Sequence, residues 1–424
     1  MELKNDIHII PMECGSLVYS PLRRGVFWAN DEACQTIESY LAGKIQTSEL
    51  TNSPVIKYLK QLEEVQVSTP DQTAQGVSRN RLVVLPSQIC NLACTYCFAS
   101  QAHSHECIDK AILEKAYDYI LKSDNNEKYF SFIGGGEPMM TWDLLKWSFE
   151  YIFSHKSDSD KVFISITTNA TLMNEDILST IKKYGICINV SFDILKNIQD
   201  TQRPFKRINK SSFDIIHKNI QLLDKNYVSY GIRSTITMKN VSLMSEMVRF
   251  VVDNYPKLRS LHFEPVTDDV EDRFYQEYID NFFQARTIAK SYGIDLYNSS
   301  TKSIFNIKEQ FCNGELCLTK AGDIVACHRI SSKNDSNFDK FCYGKITEKD
   351  AAFSYHSSTS VLTINKINNF YPCKGEVKIS ATIKDTYKKE CNNVVYVNRR
   401  FHNVDLPVPK FIRYNHFNKE KILI

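Results

Sequence analysis

The motif Cys90-Asn-Leu-Ala-Cys94-Thr-Tyr-Cys97 constrains this chain more than any other stretch, coming as it does at the end of the apolar run Arg81-Leu-Val-Val-Leu-Pro86. Three thiols in a C-x3-C-x2-C spacing, with an aromatic before the last, suit three irons of a [4Fe–4S] cube. The fourth iron then has no protein ligand. Such clusters are ordinarily held by four cysteines, so a loop with three implies that something else binds the open iron. Taken alone, the spacing also allows a zinc knuckle or thiols without a shared function. The stretches downstream weigh against both.

Composition sets the outer bounds. A chain of 424 residues is long enough for two or three domains. With 43% apolar and 24% charged residues it can bury a sizeable core, and a net charge of +3 makes no case for nucleic acid or a membrane surface. The opening Met1-Glu-Leu-Lys-Asn-Asp6 lacks the basic flank and apolar stretch of a signal peptide, and no run approaches bilayer-spanning length. Thirteen cysteines in such a chain argue for metal rather than a disulfide framework, and for a cytoplasmic protein.

From Arg81 to about Lys290 strands and helices alternate. The expected strands are Leu82–Leu85, Tyr129–Ile133, Val162–Thr167, Ile186–Phe192, Tyr230–Ile236 and Ser260–Glu264. The expected helices are Asp109–Lys122, Thr141–Phe153, Glu175–Lys183, Ser212–Lys225, Ser242–Asn254 and Arg273–Ser291. Six β/α units predict an α/β fold, a partial (β/α)6 TIM-type barrel whose chemistry sits at the C-terminal strand ends. The Cys loop ends the first strand, Gly134-Gly-Gly-Glu137-Pro138 the second, and Thr167-Thr-Asn-Ala170 the third. The fourth ends Ser191-Phe-Asp193, followed by Gln199-Asp200-Thr-Gln-Arg203.

At these residues the chain resembles the radical S-adenosylmethionine (SAM) superfamily, and within it the peptide- and sulfatase-maturing branch. The resemblance implies that Cys90, Cys94 and Cys97 hold a [4Fe–4S] cluster whose open iron binds the methionyl amino and carboxylate groups of SAM. It places Gly134, Gly135, Gly136 and Glu137 at the SAM amino group, Thr168 and Asn169 beside the ribose, and Tyr96 near the adenine. Ser191 and Arg203 inherit the SAM carboxylate, and guanidinium recognises carboxylate in a bidentate way. Three departures stand out: Ala170 and Ile194 replace usual glycines, and Gln199 replaces a usual histidine. Asp193 and Asp200 have a purely structural reading beside the functional one. Cys187 reads as core, and Cys107 has no assigned role.

The first eighty residues read as a separate unit. Ile7–Ile10, Ser16–Ser20 and Gly25–Ala29 are β-type runs. Asn30 caps a helix through Leu41, and shorter helices follow near Thr47–Leu50 and at Ser53–Glu64, before a linker at Asp71–Ser78. This order, with Leu17-Val-Tyr-Ser-Pro-Leu-Arg-Arg-Gly-Val-Phe-Trp-Ala-Asn30, resembles the winged-helix, PqqD-like domains that bind leader peptides by adding a strand to a sheet edge. A capping domain is the plainer reading. A DNA-binding winged helix would rest on Arg23 and Arg24 alone, a thin basic patch.

Cysteines gather again at Cys312-Asn-Gly-Glu-Leu-Cys317 and Gly322-Asp-Ile-Val-Ala-Cys327, with Gly322 placed for a hairpin turn. This resembles the opening of the auxiliary-cluster domain called SPASM, or Twitch when shortened, and Phe341–Ile346 resembles its next strand. The resemblance implies one auxiliary [4Fe–4S] cluster on Cys312, Cys317, Cys327 and Cys373, with Cys342 and Cys391 as alternative fourth ligands. A structural zinc suits four cysteines equally. Cys14 and Cys34 read as buried thiols. The expected domains are 1–78 for leader recognition, 79–295 for the SAM barrel and 296–424 for the auxiliary site and tail.

The expected function is a radical SAM oxidoreductase that takes hydrogen from a ribosomally made precursor peptide and installs a cross-link, cyclophane-type first and thioether second. A flavodoxin- or ferredoxin-type protein would supply electrons, and no nucleic acid or membrane partner is expected. The alternatives are a formylglycine-forming sulfatase maturase, a small-molecule radical SAM dehydrogenase, or a regulator whose clusters sense redox state. Asp193, Asp323 and His328 are the candidates for a base.

Overall fold

A computed structural model describes residues 3–5, 7–12, 15–20, 23, 25–45, 53–65, 79–99, 106–266, 272–298, 315–335, 338–347 and 349. They fall into two compact units, the first within residues 1–74 and the second within 75–372. The helix expected near Thr47–Leu50, the linker at Asp71–Ser78, and Cys312, Cys373 and Cys391 lie outside the described residues.

The first unit holds an antiparallel sheet of β1 (His8–Met12), β2 (Gly15–Ser20) and β3 (Gly25–Ala29), with β2 in the middle. Two helices follow, α1 (Asp31–Leu41) and α2 (Pro54–Glu64). Asn30 starts α1 as its residue type dictates, its side-chain oxygen accepting from the Ala33 N–H at 2.8 Å. Pro54 occupies the first turn of α2, where its missing N–H costs nothing. Val18 and Phe27 from the sheet, with Ile37, Leu59 and Leu62 from the helices, form a buried core.

The second unit is built on a parallel sheet in chain order: β4 (Arg81–Val84), β5 (Glu127–Phe132), β6 (Lys161–Thr168), β7 (Cys187–Ser191), β8 (Tyr230–Ile236) and β9 (Ser260–Pro265). The helices between and after them are α3 (Lys110–Leu121), α4 (Trp142–His155), α5 (Glu175–Tyr184), α6 (Lys196–Gln202), α7 (Ser212–Lys225), α8 (Met244–Asn254) and α9 (Asp272–Ser291). Every expected strand and helix of this region appears, with ends shifted by at most a few residues. Helix α6 has no counterpart among the expected elements. Its seven residues are too few to show an apolar period.

Alternation within the strands explains the two faces of the sheet. In β5 the buried Phe130 and Phe132 face the helices, Phe132 lying edge-on to Phe149 of α4 at 5.4 Å. The intervening Tyr129 and Ser131 face the other way, beside Phe163 and Ser165 of β6. That second face carries the polar side chains described below.

The sheet continues beyond the six β/α units. Strand β10 (Asp295–Tyr297) adds in parallel to β9. At the other edge β11 (Cys317–Leu318) runs parallel to β4, and β12 (Asp323–Val325) and β13 (Cys342–Lys345) follow antiparallel. A four-residue helix, α10 (Phe338–Phe341), precedes β13. The β11–β12 hairpin turns at Gly322. Its φ is +79°, and a Cβ there would stand 2.1 Å from Ile346 O, so the position admits no side chain.

Candidate active site at the C-terminal ends of the parallel strands

A cavity of about 380 Å³ opens where the parallel strands end. One wall is the loop after β4, bearing Cys90, Cys94 and Cys97. Facing it are Gly134–Glu137 after β5, Thr168 and Asn169 at the end of β6, Ser191 at the end of β7, and Arg203. All the residues expected to hold the first cluster and SAM therefore share one cavity.

The Cys loop is fixed by backbone bonds from a distant segment. Ala93 N–H donates to Pro204 O at 2.8 Å, Thr95 N–H to Gln202 O at 2.9 Å, and Lys206 N–H to Asn91 O at 3.0 Å. The glycine loop is pressed against the residues entering the Cys loop: a Cβ on Gly135 would stand 2.5 Å from Ser87 O, and one on Gly136 2.2 Å from Ile89 O. Neither position tolerates a side chain. Burial pushes the Cys90 thiol up to about 12 and raises Cys94 as well, opposed at the first by a hydrogen bond from the Leu92 backbone and more weakly by Lys206, and at the second by Arg203. Thiols of this kind stay protonated until a metal displaces the proton.

Glu137 braces the site. It is buried and accepts from Thr168 Oγ1 at 2.6 Å, Asn169 N–H at 2.6 Å and Met139 N–H at 3.0 Å. Burial raises its pKa while these three donors oppose the rise. Asn169 extends the brace to the Cys loop through Asn91 Oδ1 at 2.9 Å. Ala170 adopts a φ of +55°, so the backbone keeps the conformation that a glycine would take there.

Asp193 is the hub of the opposite wall. Wholly buried, it accepts from Tyr96 Oη (2.5 Å), Gln202 Nε2 (2.9 Å), Arg203 Nε and Nη2 (3.0 and 3.2 Å), Ser234 Oγ (3.3 Å) and Thr235 N–H (3.1 Å). Burial alone would lower the Arg203 pKa, but the Asp193 carboxylate outweighs it and holds the guanidinium charged. Arg203 also covers one face of Tyr96, 5.1 Å from the ring centre. Gln199 accepts from Asp193 N–H at 2.8 Å and donates to Ser212 Oγ at 3.0 Å, which an amide can do with its two ends. Ile194 takes a φ of +68° while Leu195 N–H returns to Asp193 O at 2.8 Å, a tight three-residue turn that is strained for a β-branched residue.

Of the three base candidates, only His328 lines the cavity. Asp193 is spent on its donors. Asp323 is buried in the β11–β12 hairpin, where it accepts from Thr319 Oγ1 at 3.3 Å. Asp200 is structural too, accepting from Ser211 Oγ and from Phe213 N–H at the start of α7. His328 Nδ1 lies 2.7 Å from Glu315 Oε2. Burial works against ionising Glu315, yet His328 overrides it and holds the carboxyl down at about 2.

Around the later cysteines, Cys317 is buried in β11 with its thiol 3.4 Å from Glu315 Oε2. Cys327 follows β12, and the Cys342 thiol donates to Gly344 O at 3.3 Å. Among the described residues no three His, Cys, Asp or Glu side chains converge on a single-ion position. A cubane does not need such convergence, since its thiolates sit on separate irons. The soft donors of the Cys loop, lining a cavity with a glycine cradle opposite, fit such a cluster.

Residues 84–251 match the family described as the radical SAM superfamily. The chain carries a radical SAM domain. Such a domain implies a [4Fe–4S] cluster and SAM as its cofactors. Two relatives extend the likeness beyond it. A cysteine-type anaerobic sulfatase-maturating enzyme of Clostridium novyi is 24% identical over 70% of this chain and 84% of its own. The radical SAM cyclopropyl synthase TigE of Paramaledivibacter caminithermalis is 23% identical over 77% of this chain and 72% of its own. The solved structure of native anSMEcpe with bound AdoMet shares the fold, with a TM-score of 0.57 at 18% identity, covering 68% of this chain and 82% of that one. Among the described residues no helix is long and apolar enough to cross a membrane.

The radical SAM domain's cavity also holds residues that the motifs did not point to: Lys206, Arg233, Glu264 and Arg329. His262, buried on β9, pairs with Glu264 at 2.6 Å and stacks on Tyr297 at 4.7 Å. The signal for these was the period-two alternation of β8 and β9, which puts Arg233, His262 and Glu264 on the polar face of the sheet.

Proposed function

We propose that this chain is a radical SAM peptide maturase that takes hydrogen from a ribosomally made precursor and installs a cross-link in it. The single observation that carries the reading is one cavity shared by the three-thiol loop, the glycine loop pressed on it, and the Ser191–Arg203 wall. Cys90, Cys94 and Cys97 hold the cluster in this reading. Gly134–Gly136 give close backbone approach to the SAM ammonium, Thr168 and Asn169 face the ribose, Tyr96 flanks the adenine, and Ser191 and Arg203 take the carboxylate. A cluster held there would supply the one-electron reduction of SAM on which hydrogen abstraction from the substrate depends. The chain's own work is orientation: Glu137 fixes the strand ends to each other, and Asp193 presets Arg203 before SAM arrives.

A peptide substrate is supported by what the relatives act on, sulfatase maturation being a modification of a protein chain, and by the anSMEcpe structure that contains AdoMet together with a Cp18Cys peptide. The outer strands β1 and β3 of the N-terminal unit pair on one side only among the described residues, so either edge suits an added leader strand. The basic-patch reading of that unit loses Arg23, which is buried. An auxiliary cluster on Cys312, Cys317, Cys327 and Cys373, a flavodoxin- or ferredoxin-type donor, and a cyclophane link ahead of a thioether complete the proposal.

The test is iron and sulfide content of anaerobically prepared protein, with deoxyadenosine release on adding SAM and dithionite. About eight irons per chain are expected, and about four in the combined Cys90→Ala, Cys94→Ala, Cys97→Ala variant, which releases no deoxyadenosine. Coexpression with short reading frames flanking the gene, read by mass spectrometry, identifies the precursor as the peptide that loses two hydrogens. Release of deoxyadenosine with modification of a sulfatase cysteine or serine instead favours the sulfatase-maturase alternative. No deoxyadenosine from the iron-loaded protein rejects the enzyme.

A further inference from the structure

The cavity lining carries four permanent or near-permanent cations, Arg203, Lys206, Arg233 and Arg329, against two carboxylates, Glu137 and Glu264. Both carboxylates are already engaged, Glu137 by Thr168, Asn169 and Met139, and Glu264 by His262. Two of the cations are accounted for by the cofactor site. Arg203 is held by Asp193 and its field reaches Cys94, while the field of Lys206 reaches Cys90, so these two face the net negative charge of a thiolate-held cluster. Arg233 and Arg329 are different. Neither side chain makes a hydrogen bond or ion pair to any described residue, although each is half-buried on the cavity wall. They approach from separate elements, Arg233 from β8 and Arg329 from the segment after β12.

A half-buried guanidinium without a counter-charge gives up hydration for nothing unless an anion visits it. SAM brings one carboxylate, and the site already offers Arg203 and Ser191 for it. We infer that Arg233 and Arg329 form a carboxylate-binding subsite for the substrate, so that the reacting segment presents an aspartate, glutamate or C-terminal carboxylate next to the carbon that loses hydrogen. Register supports this placement. Arg233 pairs with Ser191 of β7 on one side and His262 of β9 on the other, one strand farther from the Cys loop than the Ser191 site. The inference rests on the radical SAM reading of the cavity and deepens it by naming a substrate class.

The experiment is equilibrium dialysis of reconstituted, SAM-saturated holoenzyme against radiolabelled N-acetyl-aspartate N-methylamide, with the asparagine analogue as the neutral probe. The wild type is expected to retain the acidic probe about tenfold more tightly than the neutral one, the scale of a charge-assisted guanidinium–carboxylate contact. Arg233→Gln and Arg329→Gln should each cut that preference several-fold, and Arg233→Lys should restore part of it. Iron content and SAM affinity, followed in every variant, report folding. Equal retention of the two probes by the wild type overturns the inference. So does a loss of SAM affinity in Arg233→Gln matching that in Arg203→Gln, which would assign Arg233 to the SAM carboxylate instead. Deoxyadenosine release by the same wild-type preparation separates the two readings: release without acidic preference removes only the subsite, and no release removes both.

Discussion

Asp193 grips Arg203 through two hydrogen bonds, 3.0 Å from Nε to Oδ2 and 3.2 Å from Nη2 to Oδ1, with the carboxylate wholly buried and the guanidinium nearly so. Ten residues apart in sequence, they form one end of a chain of contacts that runs through Tyr96 to the Cys loop. Arg203 is thereby aimed before any ligand arrives.

Removing the charge from one partner should therefore cost far more than a surface pair would. Asp193→Asn keeps the shape but leaves Arg203 charged and under-paired in the interior, a loss of roughly 3 kcal/mol or more in unfolding free energy. Urea denaturation measures it, and SAM affinity should fall alongside. A cost below about 1 kcal/mol would mean that the pair is solvated after all.

Tyr96 tests whether this hub acts as a unit. Tyr96→Phe removes the 2.5 Å donor to Asp193 and should cost about 1–3 kcal/mol. Because Tyr96 and Arg203 share the same carboxylate, the double variant with Asp193→Asn should cost less than the sum, by about 0.5–3 kcal/mol. Strict additivity in the denaturation cycle would show that the two contacts are independent.

Two glycines separate strain from collision. Gly185 ends α5 with a φ of +62° and has nothing within 4 Å of a Cβ position, so Gly185→Ala should lose about 1 kcal/mol of stability and leave SAM cleavage intact. At Gly136 the new carbon would sit 2.2 Å from Ile89 O, the residue before Cys90. Gly136→Ala must push that backbone aside, and deoxyadenosine release should drop by two orders of magnitude or more, on the scale that a misplacement of about 1 Å produces. Near-wild-type release from Gly136→Ala would reject the close packing of the two loops.

His217 gives a pH signature away from the cavity. It stacks on Phe213 at 5.3 Å with its Nδ1 2.7 Å from Tyr255 Oη, and burial lowers its pKa below the ordinary 6.5 against the opposing pull of Asp214. The folded chain therefore holds this proton less tightly than the unfolded chain does. Its contribution is complete above about pH 6.5 and is lost as pH falls below it. His217→Gln should flatten the fall in urea midpoint between pH 7 and pH 5 relative to wild type. An unchanged slope would place the titration elsewhere.

Much of the architecture is written in local sequence. Ser211 caps α7 and Asn174 caps α5 as their residue types require, Gly185 and Gly322 mark the turns where φ is positive, and the alternation in β5, β6 and β8 separates a helix-facing side from a polar one. These are short-range effects, decided by side chains within one turn or one strand, so a single sequence suffices to read them. The spacing of Cys90, Cys94 and Cys97, and of Gly134–Pro138, is legible for the same reason, since each group lies within one short loop.

Only the tertiary structure decided what those local pieces do to one another. Nothing near Asp193 in sequence announces Tyr96, Ser234 or Thr235 as its donors. They meet because strand order in a parallel sheet brings the ends of β4, β7 and β8 to one side. The same holds for β11, which joins the free edge of β4 with Cys317 beside Val83, and for Arg233 and Arg329, which reach one cavity from opposite parts of the chain. Long-range pairing depends on which buried faces and open edges fit in space. Residue spacing along the chain carries that information only for near neighbours.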